Sequence, residues 1–256
     1  MNEAKHSPIQ VIDRMVALLD ALAAEGEGAS QGTTLKILAA ETGLHPSTAF
    51  RILASLIEHG FVARDEGGLY LLGPHLMRLA AKVRVGLDVR AAARPVMEWL
   101  RDQVGETVNL TVRQGDEMVY VERVTPNRMM RVEQVVGSRA PLHVTAVGKL
   151  MLGEAGAAAL RDYARRTKLP AYTANTRHDT QGLLEDVGVS TARGYALDDE
   201  EAELGVGCIG ALVRDAGGAA VAGLSVSAPM ERRRLDWVPL VQEAARRISA
   251  RLGYAG

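Results

Sequence analysis

The sequence predicts an α+β protein in two parts: a small helical head ending in a β-hairpin, then a larger body on a mostly antiparallel sheet. Three observations carry this expectation. Apolar residues recur at helical spacing through the first sixty positions. A glycine-centred hairpin signal follows at 61–72. From residue 106 onward, strand-like runs mix with helices, without the strict βα alternation of a parallel sheet.

Residues 9–24 place Ile9, Ile12, Met15, Val16, Leu19 and Leu22 at three- and four-residue steps, which predicts an amphipathic helix. The polar, glycine-rich stretch 25–32 reads as a loop. A short helix over 34–42 is stopped by Gly43, a residue free to take the positive φ that ends a helix. The next helix spans 46–59, with Pro46 in its first turn, His45 or a neighbour as its cap and Gly60 at its end. Ala49, Ile52, Leu53, Leu56 and Ile57 form its apolar stripe, leaving Ser47, Thr48, Phe50, Arg51 and Ser55 outward or flanking. Residues 61–72 alternate about Asp65, Glu66, Gly67 and Gly68, where a tight turn wants positive φ. Helix, helix, glycine turn, helix and hairpin make a winged helix-turn-helix, placed at 1–73.

Residues 74–104 are helical again and gather Lys82, Arg84, Arg90, Arg94 and Arg101; they are the expected linker helices. The body, 105–256, opens with strand-like runs at 106–113, 117–124 and 129–136. Helices are expected near 147–152, 155–166 and 180–193. Two strands, 206–214 and 219–227, flank the turn Asp215–Gly218, and a final helix covers 235–252.

Composition narrows the function classes. Aromatic residues make up 4% of the chain, too few for a surface on which single-stranded bases stack. The single cysteine, Cys208, excludes an intramolecular disulfide and a zinc site built on several thiolates. No apolar run approaches the ~20 residues of a membrane span, and the polar start MNEAKHSPIQ lacks the apolar core of a signal peptide. A cytoplasmic protein without a cofactor is expected. Residues 1–80 hold six Lys/Arg against nine Asp/Glu. Affinity for duplex DNA must therefore come from focused cations and not from net charge.

The second helix of the motif supplies such a focus. Ser47 and Thr48 sit at its N-terminal end, which enters the major groove first, and Arg51 follows one turn later to grip guanine or phosphate. Arg64, on the wing, is placed to reach the DNA backbone or to remain a solvated surface charge. In the body, Gly223, Ser225 and Ser227 share one face of their strand while Ala222, Leu224 and Val226 face the other way. Small residues and hydroxyls on one face pack poorly and suit a ligand. On the neighbouring strand Val206, Cys208 and Gly210 share a face, and Thr145–Lys149 begins a helix whose free N–H groups favour a carboxylate.

Four blocks then carry a resemblance that runs nearly end to end. AAETGLHPSTAFRILASLIEHGFV with YLLG, APLHVTAVGKLML, RGYALDDEEAELGVGCIGALV and GLSVSAP occur in the order and spacing of the IclR family of bacterial transcriptional regulators, which the chain resembles. The resemblance implies the winged head, a linker helix and a body with a GAF/PAS-like sheet that binds an effector. It also implies homodimers, or dimers of dimers, on palindromic double-stranded operator DNA. His45 and Phe50 stand where members often carry a small or basic residue and a histidine, so the base sequence read does not carry over. The family's effector site maps onto Ala146, Val147, Asp198, Cys208, Ser225 and Ser227, with Met129, Val132 and Val206 as apolar walls. Together these imply a small organic acid, aromatic or a short keto- or hydroxy-acid. The helix N-terminus and the serines would hold the carboxylate, and Asp198 would accept from a hydroxyl or a water.

Two other classes stand beside a ligand-responsive regulator. One is a sensor that dimerises through its helix-turn-helix without touching DNA, in keeping with the acidic head. The other is an enzyme using Cys208 as nucleophile and His143 or His178 as base. The second is disfavoured, because Cys208 lies inside an apolar strand run and no base or oxyanion site is marked near it. The simplest readings of other polar residues are structural: His143 as a hydrogen-bonding core group, and Lys149 as a support for Glu154 unless it neutralises an anion.

Overall fold

The computed structural model describes residues 9–24, 32–79 and 89–256, and the chain divides into two compact units, Met1–Gly86 and Leu87–Gly256. In the first unit, α1 (Gln10–Ala24), α2 (Leu35–Thr42) and α3 (Pro46–Glu58) precede the hairpin β1 (Val62–Arg64) and β2 (Tyr70–Leu72). Local chemistry sets the ends. Thr34 Oγ1 accepts from the Ile37 amide to cap α2, and Gly43 closes it at φ +65°. Leu18, Leu22, Leu38, Leu53, Leu56, Val62 and Tyr70 form one buried cluster. Of the stripe expected on α3, Ala49, Leu53 and Leu56 are buried, but Ile57 is exposed: it follows Leu56 directly and turns off the buried line. The wing gains a piece absent from the sequence reading, since Thr33 and Tyr70 exchange backbone hydrogen bonds at 3.0 and 2.8 Å. Apart from Gly32, the loop expected at 25–32 lies outside the described residues.

The stretch 74–104 divides. Residues 74–79 are helical, and Lys82 and Arg84 lie outside the described residues. The helix α4 (Val89–Val104) buries Ala93, Val96, Met97 and Leu100 and is an integral layer of the second unit. That unit holds a six-stranded antiparallel sheet in the order β5-β4-β3-β8-β7-β6. Its strands are β3 (Thr107–Gln114), β4 (Glu117–Val124), β5 (Arg139–Pro141), β6 (Ala196–Asp199), β7 (Val206–Arg214) and β8 (Ala220–Pro229). One face packs Ile209, Leu224 and Val226 against α4 and the terminal helix α7 (Val238–Arg251). The opposite face receives α5 (Ala146–Thr167), which contacts β7 and β8 and is joined in turn by α6 (Thr180–Arg193).

Two expectations change here. The run 129–136 is not a strand. The two helices expected near 147–152 and 155–166 are the two segments of α5, separated by the non-helical Gly156 at φ +83°. The edge strand β6 was unforeseen, because its four residues end in the acidic cluster and lack a strand-length apolar alternation.

Candidate functional site

In the head, α3 presents Ser47, Phe50 and Arg51 on its exposed surface, with Phe50 50% exposed. His45 is the cap: its ring nitrogen accepts from the Ser47 amide and lies 2.8 Å from the Ser47 hydroxyl. Thr48 is half-buried and, with Arg51, borders a groove of about 410 Å³ between α1 and α3. Arg64 is committed to the wing itself. Its Nε donates to the Gly68 carbonyl at 3.0 Å and its guanidinium lies 5.3 Å from the centre of the Tyr70 ring. The structure therefore unites Ser47, Phe50 and Arg51 on one helix face and holds Arg64 in the hairpin.

In the second unit a cavity of about 210 Å³ opens on the α5 side of the sheet. Its walls are Thr111 from β3, Met118 and Tyr120 from β4, Val206 and Cys208 from β7 and Ser225 from β8. The start of α5 closes one side with Thr145, Ala146 and Val147, and Asp198 closes another. Six of the nine body residues expected from the sequence thus line one space: Ala146, Val147, Asp198, Val206, Cys208 and Ser225. The period of the strands explains why. Gly223 and Gly210 admit α5 against the sheet, since a Cβ at Gly223 would lie 1.8 Å from Val147 Cγ1 and one at Gly210 2.9 Å from Val147 Cγ2. Thr145 caps α5 by accepting from the Gly148 amide at 3.2 Å, and the residues at the start of that helix, Thr145, Ala146 and Val147, line the cavity.

Three expected residues stand elsewhere. Met129 is fully exposed at 101% and is no wall of the cavity. Val132 is half-buried, and its carbonyl accepts from Thr107 Oγ1 at 2.6 Å. Ser227 is buried behind the wall, 3.2 Å from Cys208 Sγ and 3.1 Å from Asn109 Nδ2. The apolar run 129–136 is bound through its backbone and Gln134, which turns Met129 to the outside.

Burial dominates the electrostatics of this space. It pushes the Asp198 carboxyl above the usual carboxylate range, against the lowering pull of the Glu201 amide, Lys149 and Cys208. It also drives the Cys208 thiol well up, with the Asp198 charge adding to the effect, so the sulfur is a protonated thiol and not a nucleophile. Tyr120 is raised by burial, then by Cys208 and Asp198. Lys149 supports neither a cavity anion nor Glu154. Its buried ammonium is held between Asp186 at 2.7 Å and Glu201 at 2.6 Å. The Glu201 amide in turn donates to Asp198 Oδ1 at 2.8 Å. His143 is a core group: its ring bonds the Tyr163 hydroxyl at 2.8 Å and the Pro170 carbonyl at 3.1 Å, and burial lowers its pKa. No group of three or more His, Cys, Asp or Glu side chains suited to a metal occurs among the described residues.

Among the cavity residues that escaped the sequence reading are Thr111, Tyr120, Gln134 and Arg139. Tyr120 was within reach, because it shares the alternation of its strand with Met118. Gln134 was not, since its position depends on a segment crossing another strand. Arg139 stands beside the opening, bonded to Gln114 at 2.8 Å and Glu117 at 3.2 Å.

Comparison with known proteins places both units. A family described as "IclR helix-turn-helix domain" matches residues 11–66, and "Bacterial transcriptional regulator IclR C-terminal" matches residues 81–250. The chain is 35% identical over 248 residues to the HTH-type transcriptional regulator BhcR of Paracoccus denitrificans, covering 94% of this chain and 86% of that protein. The repressor BlcR of Agobacterium tumefaciens has a similar structure, with a TM-score of 0.75 and 29% identity over 98% of this chain and 100% of that one. An IclR homologue from Microbacterium hydrocarbonoxydans, complexed with 4-hydroxybenzoate, matches with a TM-score of 0.61 and 25% identity over 93% of this chain and 98% of that one.

Proposed function

Because the chain belongs to the IclR family of bacterial transcriptional regulators, and is a regulator and not an enzyme, we propose that its body cavity takes a small organic acid which controls operator binding by the head. The observation that carries this reading is the cavity itself, which joins the start of α5 to Ser225 at one space and has a buried carboxyl, Asp198, in its lining. Helix N-terminal amides favour an anion, and Asp198 selects a donor such as a hydroxyl. The homologue holding 4-hydroxybenzoate supports an acid of that kind. A volume of about 210 Å³ suits an aromatic acid or a short keto- or hydroxy-acid.

On DNA, Ser47, Phe50 and Arg51 face a major groove with His45 holding the helix start, Thr48 flanks them and Arg64 stiffens the wing. The partner is double-stranded operator DNA, read by a homodimer or a dimer of dimers in the cytoplasm. No helix among the described residues is long and apolar enough to cross a membrane. A thermal-shift panel of 4-hydroxybenzoate, benzoate, lactate and pyruvate, followed by mobility shifts on the DNA upstream of the gene, tests both halves. At least one acid is expected to raise the melting temperature and to change operator affinity. The linkage requires both, because a ligand moves an equilibrium only through unequal affinity for its states. The reading falls if no acid stabilises the protein, or if one does and operator affinity stays constant. A second reading, a sensor that never touches DNA, is favoured by the acidic balance of residues 1–80; it gains if wild type and Arg51→Ala bind the same DNA equally weakly with little salt dependence.

A further inference from the structure

The run 129–136 is tied down along its length. Arg232 bridges Glu106 and the Met130 carbonyl, the latter at 3.1 Å. Thr107 Oγ1 donates to the Val132 carbonyl at 2.6 Å, and Asn109 Nδ2 donates to Gln134 Oε1 at 3.1 Å. Arg123 adds a bond to the Gln134 carbonyl. Anchors on alternate residues, 130, 132 and 134, make an extended strap laid over β3 on the cavity side, and Gln134 is the residue of that strap that lines the cavity.

The hydrogen bonds have a direction. An Asn amide nitrogen only donates, and Asn109 spends its two donors on Gln134 Oε1 and on Ser227 Oγ, the latter at 3.1 Å. The Ser227 hydroxyl lies 3.2 Å from Cys208 Sγ, and Cys208 stands opposite Asp198 in the β6–β7 pairing. With Gln134 Oε1 accepting from Asn109, the NH₂ group is the part of the side chain left for a ligand in the cavity that Gln134 lines. Asp198, which lines the same cavity, supplies an acceptor there. We propose that Gln134, carried on the 129–136 strap, is a specificity-determining residue of the cavity, whose amide N–H holds the acceptor end of a ligand that offers a donor to Asp198. The ligand class is accordingly an acid with a second, hydrogen-donating group, a hydroxy- or amino-acid in preference to a plain carboxylic acid. This rests on the effector reading of the cavity and adds to it a residue and a polarity.

The test uses the full-length protein, titrated calorimetrically with whichever of 4-hydroxybenzoate, benzoate, lactate and pyruvate most raises the wild-type melting temperature. Two variants separate the donor from the anchor. Gln134→Glu keeps an oxygen for Asn109 and replaces the NH₂ by a second acceptor; Gln134→Met keeps the width of the side chain and removes both. Loss of a hydrogen bond to a charged group corresponds to about tenfold to a hundredfold in affinity. Both variants are expected to lose at least tenfold in affinity for the acid. Gln134→Glu, which still offers Asn109 an oxygen, is also expected to melt closer to wild type than Gln134→Met. In wild type, 4-hydroxybenzoate should bind more tightly than benzoate. Affinities within twofold of wild type for both variants overturn the assignment of Gln134 while the cavity remains an effector site. Equal binding of 4-hydroxybenzoate and benzoate overturns the polarity. If no acid of the panel stabilises wild type, the effector reading fails and takes this one with it.

Discussion

The two units put their candidate functional residues on opposite sides of their cores. In the head, Leu18, Leu38, Leu53 and Leu56 are buried together while Ser47, Phe50 and Arg51 face outward on α3. In the body the recognising groups lie inside: Asp198 is 3% exposed, Cys208 9% and Ser225 7%. The difference separates function from stability in one unit and fuses them in the other. An exposed arginine can be removed from the head at little cost to folding. A polar group enclosed beside α5 has already been desolvated, and whatever compensates it is part of the fold.

The largest test of this contrast is Lys149→Met. The substitution leaves the Asp186 and Glu201 carboxylates, one half-buried and the other buried, without their shared ammonium. Removing one partner of a buried ion pair costs about 3–5 kcal/mol. Urea denaturation is expected to show a loss of that size, and acid binding should weaken with it, because Glu201 also positions Asp198 through its amide. A loss below about 1 kcal/mol, the scale of a surface ion pair, would break the contrast. Gly223→Ala comes next. Its Cβ would collide with Val147 Cγ1, so α5 must shift and the cavity wall with it. Overpacking of this kind costs about 1–3 kcal/mol, and calorimetry should find acid affinity reduced in the same variant.

In the head the same kind of change is expected to divide the two readouts. Arg51→Ala should lower operator affinity by about tenfold to a hundredfold, the range of a good base or phosphate contact, and leave the melting temperature within a degree or two of wild type. Arg64→Ala should affect DNA binding less and stability more, since Arg64 is bonded to Gly68 and stacked on Tyr70. Mobility shifts at two salt concentrations, beside melting curves, read both. Equal effects of the two arginines would mean that the wing takes part in recognition as directly as α3 does.

The contrast also governs how much was legible in the sequence. The head was read almost whole, because caps, glycine stops and apolar steps are local, and outward residues are what remains when the stripe is assigned. In the body, the period of two on β7 and β8 was enough to place Val206, Cys208 and Ser225 on one face. Residues that depend on distant partners were not accessible in that way. Lys149 meets Asp186 and Glu201 across 37 and 52 positions. The 129–136 run has the composition of a strand, yet Thr107 and Asn109 hold it by side chains in place of a backbone ladder. Met129 and Val132 were misplaced for that reason, and Gln134 was missed for the same one.

The smallest effect is the most diagnostic. Burial lifts the Asp198 carboxyl above its ordinary pKa, with Lys149, Cys208, Tyr120 and Glu201 around it. As pH rises from the acid side, the unfolded chain releases this proton first. Asp198 therefore takes free energy away from folding between the ordinary carboxylate pKa, about 4, and its own raised value. Glu201 is raised also, mainly by burial, and acts in the same direction. Asp198→Asn removes one of the two penalties, and its amide oxygen can still accept from the Glu201 amide. The variant should melt at nearly the same temperature as wild type below about pH 4 and at a higher temperature near neutrality, with a residual slope left by Glu201. Arg51→Ala, followed over the same range, should run parallel to wild type. A constant offset between Asp198→Asn and wild type at every pH would mean that the carboxyl costs the fold nothing. In that case the inward-facing site would be as separable from stability as the outward-facing one.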